Sequence, residues 1–345
     1  MVEKMFNNDT VNVFFSCDDG YVPFMAVTLA SLKDNCDPFR NYRIRILHTG
    51  VSAKNMKMIL DDFDSKDFKI SFENISCEIR ALSDKLHTRD YYSRSTYYRL
   101  FIPELFPHLD KALYLDSDIA DLGDISELYD VRLGDNLVAA IPDGFVGDVK
   151  KLCKYVENRV GVSDSRYYFN AGVLLMNLKE MRRMEFSRVF TELLSSVKFG
   201  VAQDQDYLNA ICRGRVRYVG CEWNAMPDHC HIPECDIKLA HYNLDSKPWH
   251  KEVQFGGFFW DYAEHTSYAH VIKRIFEEYP AEANAESERQ TSALVDVAYS
   301  EAMDSQTNKE IQKKINAIVP PVPERKTGYV YRINNLIHMF SALVR

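Results

Sequence analysis

Apolar and polar positions along the first third of the chain predict strands and helices in turn. An apolar run from Val11 to Phe15 precedes a polar loop, and residues Pro23 to Lys33 then place apolar side chains at helical spacing. Tyr42 to Leu47 alternates as a strand should, Ala53 to Phe63 indicates a helix, and Phe68 to Phe72 indicates a third strand. Strands that alternate with helices predict an α/β fold with a mostly parallel central sheet.

Two carboxylates follow another apolar run, in Tyr114-Leu-Asp116-Ser-Asp118. Side chains alternate along a strand, so Asp116 and Asp118 project to the same side and can face one divalent cation that also holds phosphate oxygens. Ligands of open α/β sheets bind beyond the carboxyl ends of the strands, where Asp18 would also lie. The same pattern is found in phosphatases that use the first aspartate as a nucleophile, and at strand ends with solvated acids.

A second polar segment begins at His241 and reads His-Tyr-Asn-Leu-Asp-Ser-Lys-Pro-Trp-His. It supplies an imidazole, the cation of Lys247 six residues later, and a Pro-Trp pair that stiffens the turn. Taken alone, His241 is better explained as a hydrogen-bonded loop histidine than as a metal ligand. An imidazole beside two carboxylates would favour a transition metal, because nitrogen ligands suit Mn²⁺ better than Ca²⁺.

The segment from His241 to Trp249 resembles a motif of glycosyltransferase family 8, the retaining nucleotide-sugar transferases. Five further segments resemble motifs of that family in the same order: Phe15 to Tyr21, Thr96 to Arg99, Tyr114 to Asp118, Tyr168 to Asn177, and Gln203 to Asp206. The resemblance runs from about residue 11 to about residue 255. It implies a single GT-A-like nucleotide-sugar-binding domain, which we predict to span residues 1–278.

The resemblance also implies the reaction. It predicts a metal-dependent transferase that moves galactose or glucose from a UDP-sugar to a saccharide or lipid-linked glycan, with retention of configuration. The implied metal ligands are Asp116, Asp118 and His241, with Mn²⁺ as the expected ion and Mg²⁺ as the alternative. A phosphatase that uses Asp116 and Asp118, and a non-catalytic saccharide-binding protein on the same scaffold, are the competing hypotheses.

Roles for the other polar residues follow from the same resemblance. Asp18 is expected to accept a hydrogen bond from uracil and Tyr21 to stack on it. Gln205 is a neutral amide and a poor nucleophile, so a front-face reaction is favoured over a covalent route through Asp206. The implied donor-binding residues are Ser16, Asp18, Tyr21, Arg99, Asp116, Ser117, Asn170, Asp204, Gln205 and Lys247, the implied acceptor-binding residue is Asp143, and the implied catalytic residues are Gln205, Asp206, Lys247 and Arg99.

One position departs from the family pattern. The family usually has glycine three residues after the metal histidine, and this chain has Leu244. Glycine at that position allows the backbone to approach a phosphate closely. The departure therefore puts the local phosphate contact in question, and it is the only support for the non-catalytic hypothesis.

The end of the chain differs from the rest in its charge and in its pattern of apolar residues. The net charge is -8, yet six basic residues stand against one acid from Ile311 onward. An acidic body of this kind argues against nucleic acid as a partner. We predict a helical extension over residues 279–345, basic from about residue 311, whose last helix places Val330, Ile333, Ile337, Phe340 and Val344 on one face. That helix is predicted either to contact an anionic membrane surface or to pack onto the catalytic domain.

The remaining features concern location. No apolar run approaches the roughly 20 residues of a spanning helix, and the first residues lack the apolar core of a signal peptide. The eight scattered cysteines do not suggest a disulfide framework. These features predict a cytoplasmic protein, with peripheral membrane contact only if the last helix provides it. His229, His231, Cys221 and Cys235 raise a weak alternative, a structural zinc site, although no Cys-x-x-Cys pair is present.

Overall fold

A computed structural model of the chain describes residues 10–80 and 94–322. The strands are β1 (Thr10–Ser16), β2 (Asn41–His48), β3 (Phe68–Asn74), β4 (Ala112–Leu115), β5 (Ile119–Asp121), β6 (Val138–Pro142), β7 (Phe169–Met176), β8 (Val216–Tyr218) and β9 (Leu239–His241). The α-helices are α1 (Val22–Asn35), α2 (Ala53–Phe63), α3 (Ser76–Arg80), α4 (Ile102–Leu105), α5 (Ile125–Tyr129), α6 (Gly144–Asp148), α7 (Lys150–Tyr155), α8 (Leu178–Arg183), α9 (Phe186–Ser196), α10 (Gln203–Cys212), α11 (Gly256–Ala263), α12 (Ala269–Glu278), α13 (Ala281–Met303) and α14 (Ser305–Ile318).

Seven strands form the central sheet in the order β3-β2-β1-β4-β7-β6-β8. The neighbours from β3 to β4 are parallel, as are β6 and β8, whereas β7 runs antiparallel to both β4 and β6. The prediction of a mostly parallel α/β sheet is confirmed. The apolar alternation that predicted the first three strands and two helices was correct to within two residues at each end, because both periods are short-range properties of the chain.

The register of the sheet brings two distant loops to one edge. In the parallel pair β1–β4, Phe14 lies opposite Tyr114, so the loops that follow both strands leave the sheet side by side. Beyond this edge, β5 pairs antiparallel with β9 and sets Ile119 opposite His241. The Asp116-Ser-Asp118 turn is thereby enclosed between the loop that follows β1, residues 17–21, which we call the first loop, and the segment that carries His241.

Apolar side chains form one core on each face of the sheet. Helix α1 is buried over eleven of its fourteen residues, from Val22 to Leu32, and belongs to one of these cores. The other core includes residues from α13 and α14, among them Ala298, Ala302, Ile311 and Ile315. The described part of the predicted C-terminal extension therefore packs against the rest of the fold. The predicted domain boundary near residue 278 stays a prediction.

Two expectations concern contact with a membrane. The predicted amphipathic helix from Val330 to Val344 lies outside them, so its membrane contact stays a prediction. Within residues 10–80 and 94–322, no helix combines the length and the apolar character needed to cross a bilayer.

Candidate active site

A cavity of about 380 Å³ opens at the edge of the sheet where β1 and β4 end. Its lining comes from the first loop, the Asp116-Ser-Asp118 turn, β7, the start of α10 and the segment after β9. These elements are far apart in sequence, and each contributes polar side chains to the same space. The arrangement is the usual position of a ligand site in an open α/β sheet.

Three potential metal ligands converge in this cavity. Oxygen atoms of Asp116 and Asp118 and a ring nitrogen of His241 all lie within 4.8 Å of one another, and no other such group of three occurs in the described residues. The Nε2 atom of His241 is 3.3 Å from Asp118 Oδ1 and 3.8 Å from Asp116 Oδ2. Asp118 Oδ1 is buried without a hydrogen-bond partner among the described residues. Two carboxylates, an imidazole and an unsatisfied buried oxygen fit a divalent cation.

Close packing against β7 holds these ligands together. A Cβ atom at Gly172 would lie 2.4 Å from His241 Cε1 and 2.7 Å from Asp116 Oδ2. The carbonyl oxygen of Gly172 also accepts a hydrogen bond of 2.8 Å from the Asp116 backbone N–H. Glycine is therefore required here for space rather than for an unusual backbone angle.

Lys247 and Tyr21 contact the second acid of the turn. The Lys247 ammonium lies 2.5 Å from Asp118 Oδ2, and the Tyr21 hydroxyl donates to the same oxygen at 3.3 Å. Burial acts to raise the pKa of Asp118, but the charges of Lys247 and His241 outweigh burial and hold the pKa below its usual range. The carboxylate is thus ionised over the working range of most enzymes.

Arg99 joins the first acid of the turn to the start of α10. Its guanidinium lies 3.0 Å from Asp116 Oδ1 and 3.1 Å from Asp204 Oδ2, and it donates to the Ala171 carbonyl. The ring of Tyr114 lies beneath it at 4.2 Å, and the Tyr114 hydroxyl donates to Asp116 Oδ1 at 2.9 Å. These contacts hold a buried cation in one orientation beside both acids.

Hydrogen bonds to Ala171 and Asp143 hold the Gln205 side chain at the floor of the cavity. Its Oε1 accepts from the Ala171 backbone N–H at 2.9 Å, and its Nε2 donates to Asp143 Oδ2 at 3.0 Å. Asp143 also caps α6 by accepting from the Val146 N–H, and it accepts from Asn170 at 3.1 Å. All three polar side chains line the cavity.

Asp206 lies in a different environment from the other predicted site residues. Its oxygens accept from the Tyr155 and Tyr168 hydroxyls and from the Ala202 N–H, at 2.7 to 2.9 Å, and the side chain is fully buried. Burial raises its pKa to about 6, as it does for Asp204. The structure does not bring Asp206 into the lining of the cavity, which disfavours it as the fallback nucleophile.

The first loop supplies the residues predicted to hold a base. Asp18 is exposed and accepts from the Tyr21 backbone N–H at 3.1 Å, which leaves its other oxygen available. The Ser117 hydroxyl donates to the Ser16 carbonyl at 3.2 Å and ties this loop to the Asp116-Ser-Asp118 turn. Tyr21 is half-buried, with its ring edge-on to Trp249 at 5.8 Å. Ser16, Asp18, Tyr21 and Ser117 all line the cavity.

Leu244 adopts a left-handed backbone conformation, with φ of 49°. Glycine adopts this conformation without a steric cost, whereas leucine does not. This geometry is a physical reason for glycine at the position, and the departure here is accommodated with strain. The Leu244 side chain lines the cavity.

Helix α13 borders the same cavity through Ser287 and Leu294. Its residues also contact the segment that carries Lys247, since Asn284 donates to the His250 carbonyl at 3.2 Å and Glu288 pairs with Lys251 at 3.1 Å. The neighbouring Tyr279 ring stacks on His250 with centroids 3.7 Å apart. The start of the C-terminal extension thus supports the segment that carries Lys247.

The zinc hypothesis receives no support. All eight cysteines are free thiols. His229 Nδ1 lies 2.8 Å from Asp148 Oδ2, and His231 Nε2 lies 3.7 Å from the other oxygen of that acid. Within the described part of the chain, these histidines and cysteines do not converge on a common point.

Sequence reasoning overlooked three residues of the site. Gly172 lies in the segment from Tyr168 to Asn177, and no role was predicted for it. A glycine within a buried strand nevertheless indicates that another group approaches the backbone closely there. Tyr114 precedes Asp116 by two residues and so faces the same side. The Oδ1 atom of Asn224 lies 2.8 Å from His241 Nδ1, and no local sequence pattern marks Asn224 as a site residue.

Comparisons with known proteins agree with the class that this fold and cavity define, a glycosyltransferase with a GT-A-like fold. The model for "Glycosyl transferase family 8" matches residues 12–253, and the chain belongs to that family. Both the family resemblance and the enzyme class predicted from the sequence are confirmed, and the phosphatase hypothesis is wrong.

Individual relatives share most of the matched region. A lipopolysaccharide 1,2-glucosyltransferase of Escherichia coli K12 is 27% identical over 265 residues, which is 71% of this chain and 74% of that protein. The galactosyltransferase LgtC, solved with donor and acceptor sugar analogues, has a TM-score of 0.64 and 27% identity over 74% of this chain and 96% of its own. The bifunctional glycosyltransferase WbbM has a TM-score of 0.64 and 28% identity over 77% of this chain, which spans about half (52%) of the WbbM chain.

Proposed function

We propose that this family 8 enzyme is a metal-dependent, retaining hexosyltransferase. It moves galactose or glucose from a UDP-sugar to a saccharide or lipid-linked glycan acceptor. The observation that carries the proposal is the cluster of Asp116, Asp118 and His241 with Lys247 beside it, at the edge where the first loop also ends. The relatives named for glucosyl and galactosyl transfer support the choice of donor.

The metal ligands would be Asp116, Asp118 and His241. A bound Mn²⁺ or Mg²⁺ supplies positive charge to the diphosphate of the donor. Lys247, which pairs with Asp118, would contact the same diphosphate and stabilise the negative charge that grows on it as the glycosidic bond breaks. The loop residues Asp18 and Tyr21, with Ser16 and Ser117, would hold the uridine.

The sugar would lie over the floor of the cavity. Arg99 and Asp204 form a buried pair beside Asp116, and Asn170 and Gln205 lie further along the same floor. Gln205 is a neutral amide, and the Asp206 carboxylate is enclosed by three donors. We infer a front-face reaction, in which the acceptor hydroxyl attacks on the side from which UDP departs, rather than a covalent intermediate.

A donor assay tests this function. Purified protein is incubated with UDP-galactose or UDP-glucose, and release of UDP is followed with chelator, with Mn²⁺, and with Mg²⁺. We expect release that is lost on chelation and restored by Mn²⁺, and no release of inorganic phosphate. Full activity in a metal-free preparation would refute the metal role, and absence of UDP release with every donor and acceptor would refute the transferase.

The variant Asp118→Asn tests the cluster itself. A neutral amide cannot balance a divalent charge, so we expect loss of Mn²⁺ binding by calorimetry together with loss of UDP release. Asp61→Asn is the matched control, because Asp61 is an exposed acid on α2 that pairs only with Lys57 among the described residues. Equal metal affinity in the two variants would show that Asp118 is not a ligand of the cation.

The place of the enzyme in the cell is part of the proposal. We infer a cytoplasmic enzyme, because the proposed donor is a UDP-sugar, a class of metabolite made in the cytoplasm. Co-sedimentation of the full chain with anionic liposomes tests the peripheral contact predicted for the helix from Val330 to Val344.

A further inference from the structure

Five buried or cavity-lining polar side chains form a continuous hydrogen-bonded chain from the metal cluster to the floor of the cavity. His241 Nδ1 lies 2.8 Å from Asn224 Oδ1, and Asn224 Nδ2 donates to Asn170 Oδ1 at 3.1 Å. Asn170 Nδ2 donates to Asp143 Oδ2 at 3.1 Å, and Gln205 Nε2 donates to the same oxygen at 3.0 Å. We call these residues the polar chain.

The direction of the hydrogen bonds in the polar chain is determined at several points. The Gly172 backbone N–H donates to Asn170 Oδ1 at 2.9 Å, so that amide must present its oxygen to Gly172 and its nitrogen to Asp143. A carboxylate accepts at both oxygens, which agrees with this orientation. Asn170 Oδ1 therefore receives the NH₂ group of Asn224, and the oxygen of Asn224 must face His241.

An amide oxygen at 2.8 Å from His241 Nδ1 requires a proton on that nitrogen. In the neutral imidazole, Nε2 is then bare and carries a lone pair toward Asp116 and Asp118. A bare Nε2 is the form that binds a metal, and the partner of the other ring nitrogen is what selects it.

We propose that Asn224 is a positioning residue that holds His241 as the Nδ1–H tautomer, and that Asn170 and Asp143 extend the same constraint to Gln205. The proposed metal ligand His241 and the proposed catalytic residue Gln205 are then oriented as one unit. The consequence for catalysis rests on the proposed metal role of His241, whereas the tautomer itself does not.

Two substitutions of Asn224 separate these effects. Asn224→Asp keeps an acceptor for Nδ1–H but places a second carboxylate oxygen against Asn170 Oδ1, which is also an acceptor. We expect it to retain the tautomer and the Mn²⁺ affinity while lowering turnover, because Asn170 and Gln205 lose their orientation. Asn224→Leu removes the acceptor, and we expect mixed tautomers and Mn²⁺ affinity lower by roughly 10- to 100-fold.

Nitrogen NMR of labelled histidine in metal-free protein reads the tautomer directly, at a pH at which imidazoles are neutral, with His241→Gln used to assign the signal. Calorimetry with Mn²⁺ gives the affinity and UDP release gives turnover. Asn12→Leu is the control, since Asn12 is a buried amide near the start of β1 that bonds Tyr129 and Arg45. It should lower stability and leave the His241 tautomer unchanged.

The inference is wrong if His241 carries its proton on Nε2 in the parent protein. It is also wrong if Asn224→Leu is folded and keeps both tautomer and Mn²⁺ affinity. Should the leucine variant not fold, Asn224→Ala provides the same test with less crowding. A parent protein that shows the Nδ1–H tautomer but never binds Mn²⁺ would refute the proposed metal role and leave the assignment of Asn224 in place.

Discussion

Gly172→Ala is the smallest change that should separate the metal ligands. The added methyl would lie 2.4 Å from His241 Cε1 and 2.7 Å from Asp116 Oδ2, both far inside contact distance. His241 is only 2% exposed and is held from its other side by Asn224, so it has little room to retreat. Asp116 is more exposed and can swing away, but it would then leave Arg99 and Tyr114.

The size of the effect follows from this geometry. Restoring ordinary contact requires His241 to move by about 1 Å, and a misplacement of that size costs on the order of 10² in rate. Overpacking of a buried site lowers the free energy of unfolding by about 1–3 kcal/mol. We therefore expect a folded protein whose UDP release is reduced about 100-fold and whose Mn²⁺ affinity falls with it.

The assay compares Gly172→Ala with Gly257→Ala. Gly257 lies in helix α11 with nothing within 4 Å of an added methyl, so the control should fold and react as the parent does. Thermal unfolding, Mn²⁺ calorimetry and UDP release are measured on both. Parent-level metal affinity and turnover in Gly172→Ala would show that the ligands do not depend on close packing against β7, and the explanation of this glycine would fail.

Three further outcomes are expected. Lys247→Ala should lower turnover by about 10² while changing donor affinity less, because its contact strengthens as charge builds on the departing diphosphate; equal losses in both kinetic constants would contradict this. Leu244→Gly should leave the free energy of unfolding unchanged or raise it by up to about 1 kcal/mol, since it relieves a left-handed leucine, whereas Leu60→Gly in helix α2 should lower it by about 1 kcal/mol. Asp206 has a pKa raised to about 6, so the protonated carboxyl favours folding below its ordinary pKa and that contribution is lost as the pH rises through about 6. Asp206→Asn should remove this pH dependence, which is worth on the order of 3 kcal/mol. Urea unfolding measures it: between about pH 4 and about pH 7, the free energy of unfolding of the parent should fall relative to that of the variant. If the two free energies change with pH in the same way, the pKa of Asp206 is not raised.

Short-range patterns predicted the elements that the chain determines locally. The alternation of Tyr42 to Leu47 and the helical spacing of Pro23 to Lys33 depend only on which face of each element is buried, and both elements lie where they were expected. The antiparallel direction of β7 was not predicted. The apolar run from Phe169 is buried on both faces, and such a run looks the same in either direction.

Some residues of the site were predictable from local sequence and others were not. Asp116 and Asp118 were predictable as a pair because two residues of one strand end share a side. The roles of Gly172 and Asn224 were not, because both depend on where the fold places His241, and the strand of His241 pairs with β5, more than a hundred residues earlier in the chain. Contacts of this range depend on the packed fold, and no window of sequence contains them.

The position of α13 has a consequence for protein engineering. The family match ends at residue 253, yet α13, which lies beyond it in the sequence, supplies Ser287 and Leu294 to the cavity and contacts His250 and Lys251. A chimera that exchanges only the matched segment with a relative would combine the cavity residues of one enzyme with the α13 residues of another. Libraries can instead vary Ser287 and Leu294 of α13, which changes the shape of the cavity without replacing a predicted metal ligand.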